Sequence, residues 1–376
     1  MKKLIAAACA LSLLLMASGC SGGSIYSNYR DIAELLVIQT LGFDLADGGV
    51  RLSVSAEGSS GAGKDNESKK PVRLSVDAAS MTEAQDALQH YSGGLQLFFG
   101  HTAYIVLGEN VLATDTAQFF DCIERDAAFR LCIPMFAASS GSASELVMGA
   151  GADEHDATRL MRAVTENLRL RGDAHIFTAA EIVSALDSNG AALICAVKAV
   201  PDDTIDPDAA EGEMAIVPDG YTIINKNKSA GHIPMELARG VSLILNEAGS
   251  MSVAVGNATL QIDRTSCAIK PVFGDGLEGI TIDIKISSSL AEARGEFDPD
   301  ALTREFEAMA RGWVEDVLEL QKSSGCDFLH LGSILEIQHP YRLRGAAENF
   351  ALIAPTLDYS VNVTADLDRS FHLDLF

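Results

Sequence analysis

The run that comes closest to a chemical motif is Gly58-Ser59-Ser60-Gly61-Ala62-Gly63-Lys64. Up to the lysine its spacing is that of a phosphate-binding loop, in which backbone amides and a following helix N-terminus hold phosphates. Such a loop also needs a Ser or Thr hydroxyl beside the lysine to bind Mg²⁺, and Asp65 stands there instead. Asn66-Glu67-Ser68-Lys69-Lys70-Pro71 forms no amphipathic helix, so residues 57–71 read as an exposed loop rather than a nucleotide site. None of the eight histidines has His-x-x-x-His or Glu-adjacent zinc spacing. The acidic clusters Asp153-Glu154-His155-Asp156 and Asp202 to Asp208 lack the layout of a calcium loop and read as solvated faces. No Gly-x-Ser-x-Gly nucleophile elbow occurs. These patterns point to no catalytic residue, no metal site and no cofactor, and the chain reads as non-enzymatic.

Cysteine chemistry is different at one position. Lys2 and Lys3 precede an apolar run from Leu4 to Met16, and Ala17-Ser18-Gly19-Cys20 follows. A charged start, a short apolar core and small residues before the cut describe a secretory signal, too short to span a bilayer. Cys directly after Ala-Ser-Gly matches the bacterial lipobox, which assigns diacylglycerol to the Cys20 thiol. Two acyl chains, at about 0.8 kcal/mol per buried CH₂, would hold the chain stably on a membrane. Apart from Cys9 inside the apolar core, the other cysteines, Cys122, Cys132, Cys195, Cys267 and Cys326, are widely spaced with no Cys-x-x-Cys, which signals neither zinc nor a disulfide framework.

The composition sets the background for these residues. The chain has 376 residues, 28 Lys plus Arg against 52 Asp plus Glu, and a formal charge of −24. Such an acidic surface repels phosphates, so no nucleic-acid partner is expected, and attachment to membrane would come from acyl chains rather than from charge.

The elements follow from periodicity. Leu35 to Phe43, Val50 to Ala56, Val72 to Val76, Thr102 to Leu107, Leu131 to Phe136 and Ala191 to Val200 read as strands. Thr82-x-x-Gln85, Ser142-x-x-Glu145 and Thr178-x-x-Glu181 have capping-box spacing and open helices. Another helix carries Phe119-Phe120 and Ile123. Two strands form a hairpin around Pro218-Asp219-Gly220, and Pro234 starts a helix ending near Leu245. Ile280, Ile282, Ile284 and Ile286 alternate with polar residues, as do Leu357 to Thr364. Between them Leu302, Phe306, Met309, Trp313, Val317 and Leu320 mark the core stripe of a long helix from about Asp300 to Gln321, stopped by Gly325. The expected fold is multi-domain α+β, with mixed or antiparallel sheets flanked by helices. Residues 1–19 form the signal peptide, 20–28 the lipidated Cys and tether, and 29–200 an N-terminal α+β domain. Residues 201–210 are an acidic linker, and 211–376 a C-terminal α+β region that a division near Gly249 would split further.

Several blocks stand in a definite order along the chain. The first is Tyr29 to Asp44, with Arg30, Leu41, Gly42 and Asp44. The second is Leu97-Phe98-Phe99-Gly100-His101-Thr102, followed by Asp121, Arg125, Asp126 and Arg130 in the segment 121–130. Gly220-Tyr221-Thr222-Ile223-Ile224 with Glu236 and Arg239-Gly240 comes next, then Leu320-Gln321-Lys322 and Asp327 to Gly332. Together these blocks resemble the C-subunit lipoproteins of spore germinant receptors, the Ger(x)C family, whose characteristic positions the named residues match. Ser21-Gly22 stands where the family commonly has Trp-Asp.

The resemblance implies a non-enzymatic, lipid-anchored subunit that acts with two integral-membrane partners, the A and B subunits, on the spore inner membrane. The charged matches also have a structural reading, in which Arg30 and Arg130 pair with Asp44 or Asp126 to fix strand ends, and His101 satisfies a buried turn. The competing functions are a solute-binding lipoprotein of a transporter and a lipid-anchored extracytoplasmic hydrolase. The first requires two lobes of βαβ units.

Overall fold

The computed structural model describes residues 31–56, 71–149, 157–201 and 214–368. Cys20, Arg30, the signal and tether, the glycine-rich run 58–64, the acidic cluster 153–156 and residues 202–210 of the expected linker lie outside the described residues.

The first element is β1 (Leu35–Ala46), which turns at Asp47-Gly48 into the antiparallel β2 (Gly49–Ala56) and then β3 (Val72–Ala78). Helix α1 (Met81–His90) follows, with Ser80 as its N-cap accepting from the Glu83 N–H. The cap is therefore two residues earlier than the expected Thr82 box, because Ser80 is the residue that holds extended backbone. The short β4 (Gln96–Phe98) and then β5 (Tyr104–Leu107) both run parallel to β1. Two helices, α2 (Glu109–Thr114) and α3 (Ala117–Arg125), cross over to β6 (Met135–Ala138). Leu131 to Pro134, expected as the start of that strand, forms a turn and a single bridge to Thr178. Helices α4 (Ala143–Gly149), α5 (Ala157–Arg171) and α6 (Ala179–Asn189) lead to β7 (Ala191–Pro201). The Thr178–Glu181 capping box forms in full at α6, and Ser142 and Glu145 exchange the same pair of bonds at α4.

The sheet does not end at the acidic segment. β8 (Met214–Asn225) pairs antiparallel with β7, opposing Met214 to Pro201, and β9 (Lys228–Ile233) pairs with β8. The nine-stranded sheet has the order β3-β2-β1-β5-β6-β7-β8-β9, with β4 beside β1. The expected hairpin at Pro218-Asp219-Gly220 is not a turn. β8 runs straight through it, and Asp219 and Gly220 together face Ala196, a bulge that the positive φ of Gly220 (84°) accommodates. The reversal lies instead at Lys226-Asn227, between β8 and β9.

Central strands β5 and β6 are buried at every position, as parallel strands covered on both faces must be. Alternate residues therefore feed two cores. Ile105, Leu107, Met135 and Ala137 meet Phe119, Phe120 and Leu88 on one face. Tyr104, Val106, Phe136 and Cys195 pack on the other into a core that continues into the C-terminal region.

That region begins with α7 (Met235–Leu245), then β10 (Ser252–Val255), β11 (Ala258–Phe273) and β12 (Leu277–Ala293). Helix α8 (Pro299–Ser324) starts at the Asp298 cap and ends at Gly325 in the left-handed conformation. Short helices α9 (Leu331–Gln338) and α10 (Ala346–Ile353) precede β13 (Asp358–Asp368), which lies parallel to β12 and completes a four-stranded sheet. Ile280, Ile282, Ile284 and Ile286 face inward beneath α8, whose Leu302, Phe306, Ala310, Val314, Val317 and Leu318 are buried. Gly240 lets α7 approach α8 closely, since a Cβ there would overlap the Trp313 carbonyl. The fold is multi-domain α+β.

Candidate functional site

The signature residues divide into a buried scaffold and an exposed corner. Gly42 and Asp44 belong to the scaffold, side by side on β1. Asp44 is 2 % exposed, and its carboxylate accepts from the backbone N–H groups of Ala143 (2.9 Å) and Ser144 (2.8 Å). It therefore satisfies orphan donors at the N-terminus of α4, where negative charge also complements the helix dipole. Burial nevertheless outweighs these bonds and pushes the Asp44 carboxyl above the usual carboxylate range. Gly42 is needed for the same contact, since a Cβ there would lie 3.0 Å from Val147 Cγ2 and 3.1 Å from Ala143 Cβ. Gly108 repeats the requirement, because a Cβ would overlap Asp44 Oδ1. Among the described residues Asp44 thus pairs with a helix end.

The corner holds Phe98, Gly100, His101 and Arg130. Arg130 Nη2 donates to His101 Nδ1 at 3.1 Å, and the Phe98 and His101 rings lie 5.4 Å apart. His101 is exposed, so it does not satisfy a buried turn, and Arg130 bonds to it rather than to Asp44 or Asp126. A Cβ on Gly100 would come within 2.7 Å of the Phe98 ring, so the glycine lets the ring fold over the turn. Arg125 and Asp121 form an exposed ion pair one helical turn apart, 2.6 Å between Nε and Oδ1. Asp126 accepts from Gln85 Nε2 (3.0 Å) and from its own turn at Ala128 N–H (2.9 Å). The structure therefore joins Gly42 to Asp44, His101 to Arg130 and Asp121 to Arg125, but does not gather all of them into one site.

A second buried carboxylate escaped notice as a site residue. Asp327 is 2 % exposed and accepts from Leu331 N–H (2.9 Å), Gly332 N–H (2.8 Å) and Gln321 Nε2 (3.1 Å), which caps α9. Burial pushes its carboxyl up to about 6. Beside it a cavity of about 480 Å³ lies between α6 and β7 on one side and Leu245, Phe328 and α9 on the other. Phe177, Ile182, Leu193, Leu245 and Phe328 line it, with His330 and Ser333 among the polar residues. Only packing between segments far apart in sequence, from Phe177 to Ser333, creates it, so no local pattern marked it.

Among the described residues no group of three or more His, Cys, Asp or Glu side chains could hold a metal ion. The described cysteines are all free. Burial pushes the thiols of Cys122 and Cys267 up to about 11 and that of Cys195 to about 12, the wrong direction for a nucleophile. No described helix is long and apolar enough to cross a membrane.

Two family profiles match the chain. One, described as the spore germination protein N-terminal domain, matches residues 28–199, and the other, described as spore germination B3/GerAC like, C-terminal, matches residues 219–371. The chain belongs to the GerAC-like spore germination family. The fold agrees with a solved structure titled "Crystal Structure of the GerBC protein", with a TM-score of 0.52 at 17% identity over 87% of this chain and 96% of that one. No curated protein matches. In this GerAC-like chain the sheet passes from the first matched segment into the second through β8 and β9, so the two segments share a sheet and a core.

Proposed function

We propose that this GerAC-like protein is the lipid-anchored C subunit of a nutrient germinant receptor, acting by association with A and B membrane subunits and not by bond-making. The observation that carries the reading is the order of three features along one chain: a signal ending in Ala17-Ser18-Gly19 just before Cys20, then the N-terminal family segment, then the C-terminal one. Diacylglycerol on Cys20 would confine the protein to a thin layer on the spore inner membrane. Confinement raises its effective concentration beside membrane partners, so a modest interface suffices. The raised thiols of Cys122, Cys195 and Cys267 and the exposed His101 paired with Arg130 fit a docking protein better than a catalyst. A solute-binding lipoprotein of two βαβ lobes is disfavoured by the C-terminal sheet, in which β10, β11 and β12 form an antiparallel meander.

The test is replacement of Cys20 by Ala in the native host. The variant should leave the membrane fraction and impair nutrient germination, while mass spectrometry of the wild-type N-terminus should find the diacylglyceryl cysteine. Soluble protein with full germination would overturn the reading.

A further inference from the structure

The cavity between α6 and α9 has features of a built recognition site, independent of the membrane anchor. Its volume, about 480 Å³, falls within the range of small-molecule sites, and its walls are mostly apolar. Its polar edge is specific. Asn189 Nδ2 donates both to the Asp327 carbonyl (2.9 Å) and to His330 Nδ1 (2.8 Å), while Asn189 Oδ1 accepts from Ala191 N–H (3.0 Å). The last bond fixes which end of the amide is nitrogen. An amide nitrogen can only donate, so His330 Nδ1 must be the acceptor, and the neutral ring carries its proton on Nε2.

The backbone of His330 is held at φ 56°, a conformation uncommon for a residue with a side chain, at the N-cap of α9. Non-glycine residues in such positions concentrate at binding and catalytic sites, where surrounding structure over-determines them. Here the Asn189 and Asp327 bonds do so.

The lining also sets the charge of what can enter. Glu181 is the anionic residue of the wall, and its bonds to Thr178 keep its carboxyl below its ordinary range, so it stays ionised. Protonating His330 is opposed by burial and by the amide at Nδ1. No Lys or Arg lines the cavity, and the half-exposed Glu181 carboxylate, 3.8 Å from His175 Nε2, disfavours anions there.

We infer that this cavity binds a compact apolar molecule, uncharged or cationic, whose hydrogen-bond acceptor takes the His330 Nε2 proton. Phe177 and Phe328 supply aromatic wall suited to an aromatic or branched body. Because the walls come from both family segments, an occupant would bridge α6 to α9.

Binding is measured by NMR titration of the purified chain lacking its signal, with benzyl alcohol, benzylamine and benzoate as probes. Benzyl alcohol and benzylamine should shift resonances of Leu193 and Phe328, and benzoate should bind at least about tenfold more weakly. Ala185→Trp fills the cavity from the half-buried face of α6 and should abolish those shifts. His330→Asn tolerates the same backbone conformation and should weaken benzyl alcohol by about tenfold. Folding of both variants is checked by their amide spectra, and Asp86→Ala, exposed on α1 and outside the wall, is the control that should bind as wild type. Undetectable binding of all three probes, unchanged binding in Ala185→Trp, or benzoate binding as tightly as benzyl alcohol would each overturn the inference.

Discussion

Asp44 on β1 and Ala143 at the first turn of α4 are 99 residues apart in sequence and 2.9 Å apart between Oδ1 and the backbone nitrogen. The signature aspartate is therefore a helix cap supplied from a neighbouring strand, which fixes α4 across β1 and β2. Removing it leaves two N–H groups in a buried place without acceptors.

Asp44→Ala should cost about 2 kcal/mol of unfolding free energy, the size of a strong cap loss. Asp44→Asn keeps one acceptor oxygen and should cost less. Urea unfolding of the two variants beside wild type checks the order, and equal losses would mean that packing, not capping, is the role of this residue.

Two glycines give opposite expectations from the same substitution. At Gly42 an added methyl meets Val147 and Ala143 at 3.0–3.1 Å, so Gly42→Ala should destabilise by about 1–3 kcal/mol through overpacking. At Gly312, inside α8, a Cβ meets nothing within 4 Å. Gly312→Ala should therefore stabilise by about 0.5–1 kcal/mol, because alanine loses less backbone freedom in a helix. Thermal melts of both variants decide the matter, and shifts of the same sign would contradict the packing described.

These contacts explain what was legible in the chain. Period-two alternation located β12 and β13, and the three-and-four stripe located α8 with its Gly325 end, because each is set by local burial and capping; the Asp298 cap lies two residues before the expected start near Asp300. Pro218-Asp219-Gly220 misled because turn residues also serve bulges, and only pairing with β7 distinguishes the two. The partners of Asp44, Arg130 and Asp327 were hidden for another reason. Asp44 and Asp327 meet helix N-termini, and backbone N–H groups carry no residue type to read. The pairing of β7 with β8 was equally invisible, since the acidic composition of residues 202–213 describes that segment and not the strands on either side of it.

The exposed corner should be replaceable without loss of fold. Arg125 and Asp121 pair in water, where such bonds contribute little. Arg125→Ala and Arg130→Ala should each melt within about 2 °C of wild type. A germination defect in either well-folded variant would then report a contact made outside this chain, whereas a large drop in Tm would assign the residue to the scaffold.

Asp327 makes stability depend on pH in a definite direction. Its carboxyl is pushed up to about 6 in the folded chain, against 3.8 for the ordinary group, because desolvation outweighs its hydrogen bonds. Between these values the folded state holds a proton that the unfolded chain has released, so raising pH favours unfolding. The contribution is fully present below about pH 4 and is lost as pH rises through about 6, amounting to about 3 kcal/mol at roughly 1.4 kcal/mol per unit. Asp327→Asn carries no proton to release, so the difference in unfolding free energy between wild type and variant should shrink in the wild type's disfavour from pH 4 to pH 7. Asparagine also gives up one acceptor oxygen at the α9 N-terminus, which lowers its stability at every pH without altering that slope. Urea unfolding at pH steps across this window reads the slope directly. Parallel pH profiles for the two proteins would show that the Asp327 carboxylate ionises in the folded chain as easily as in water.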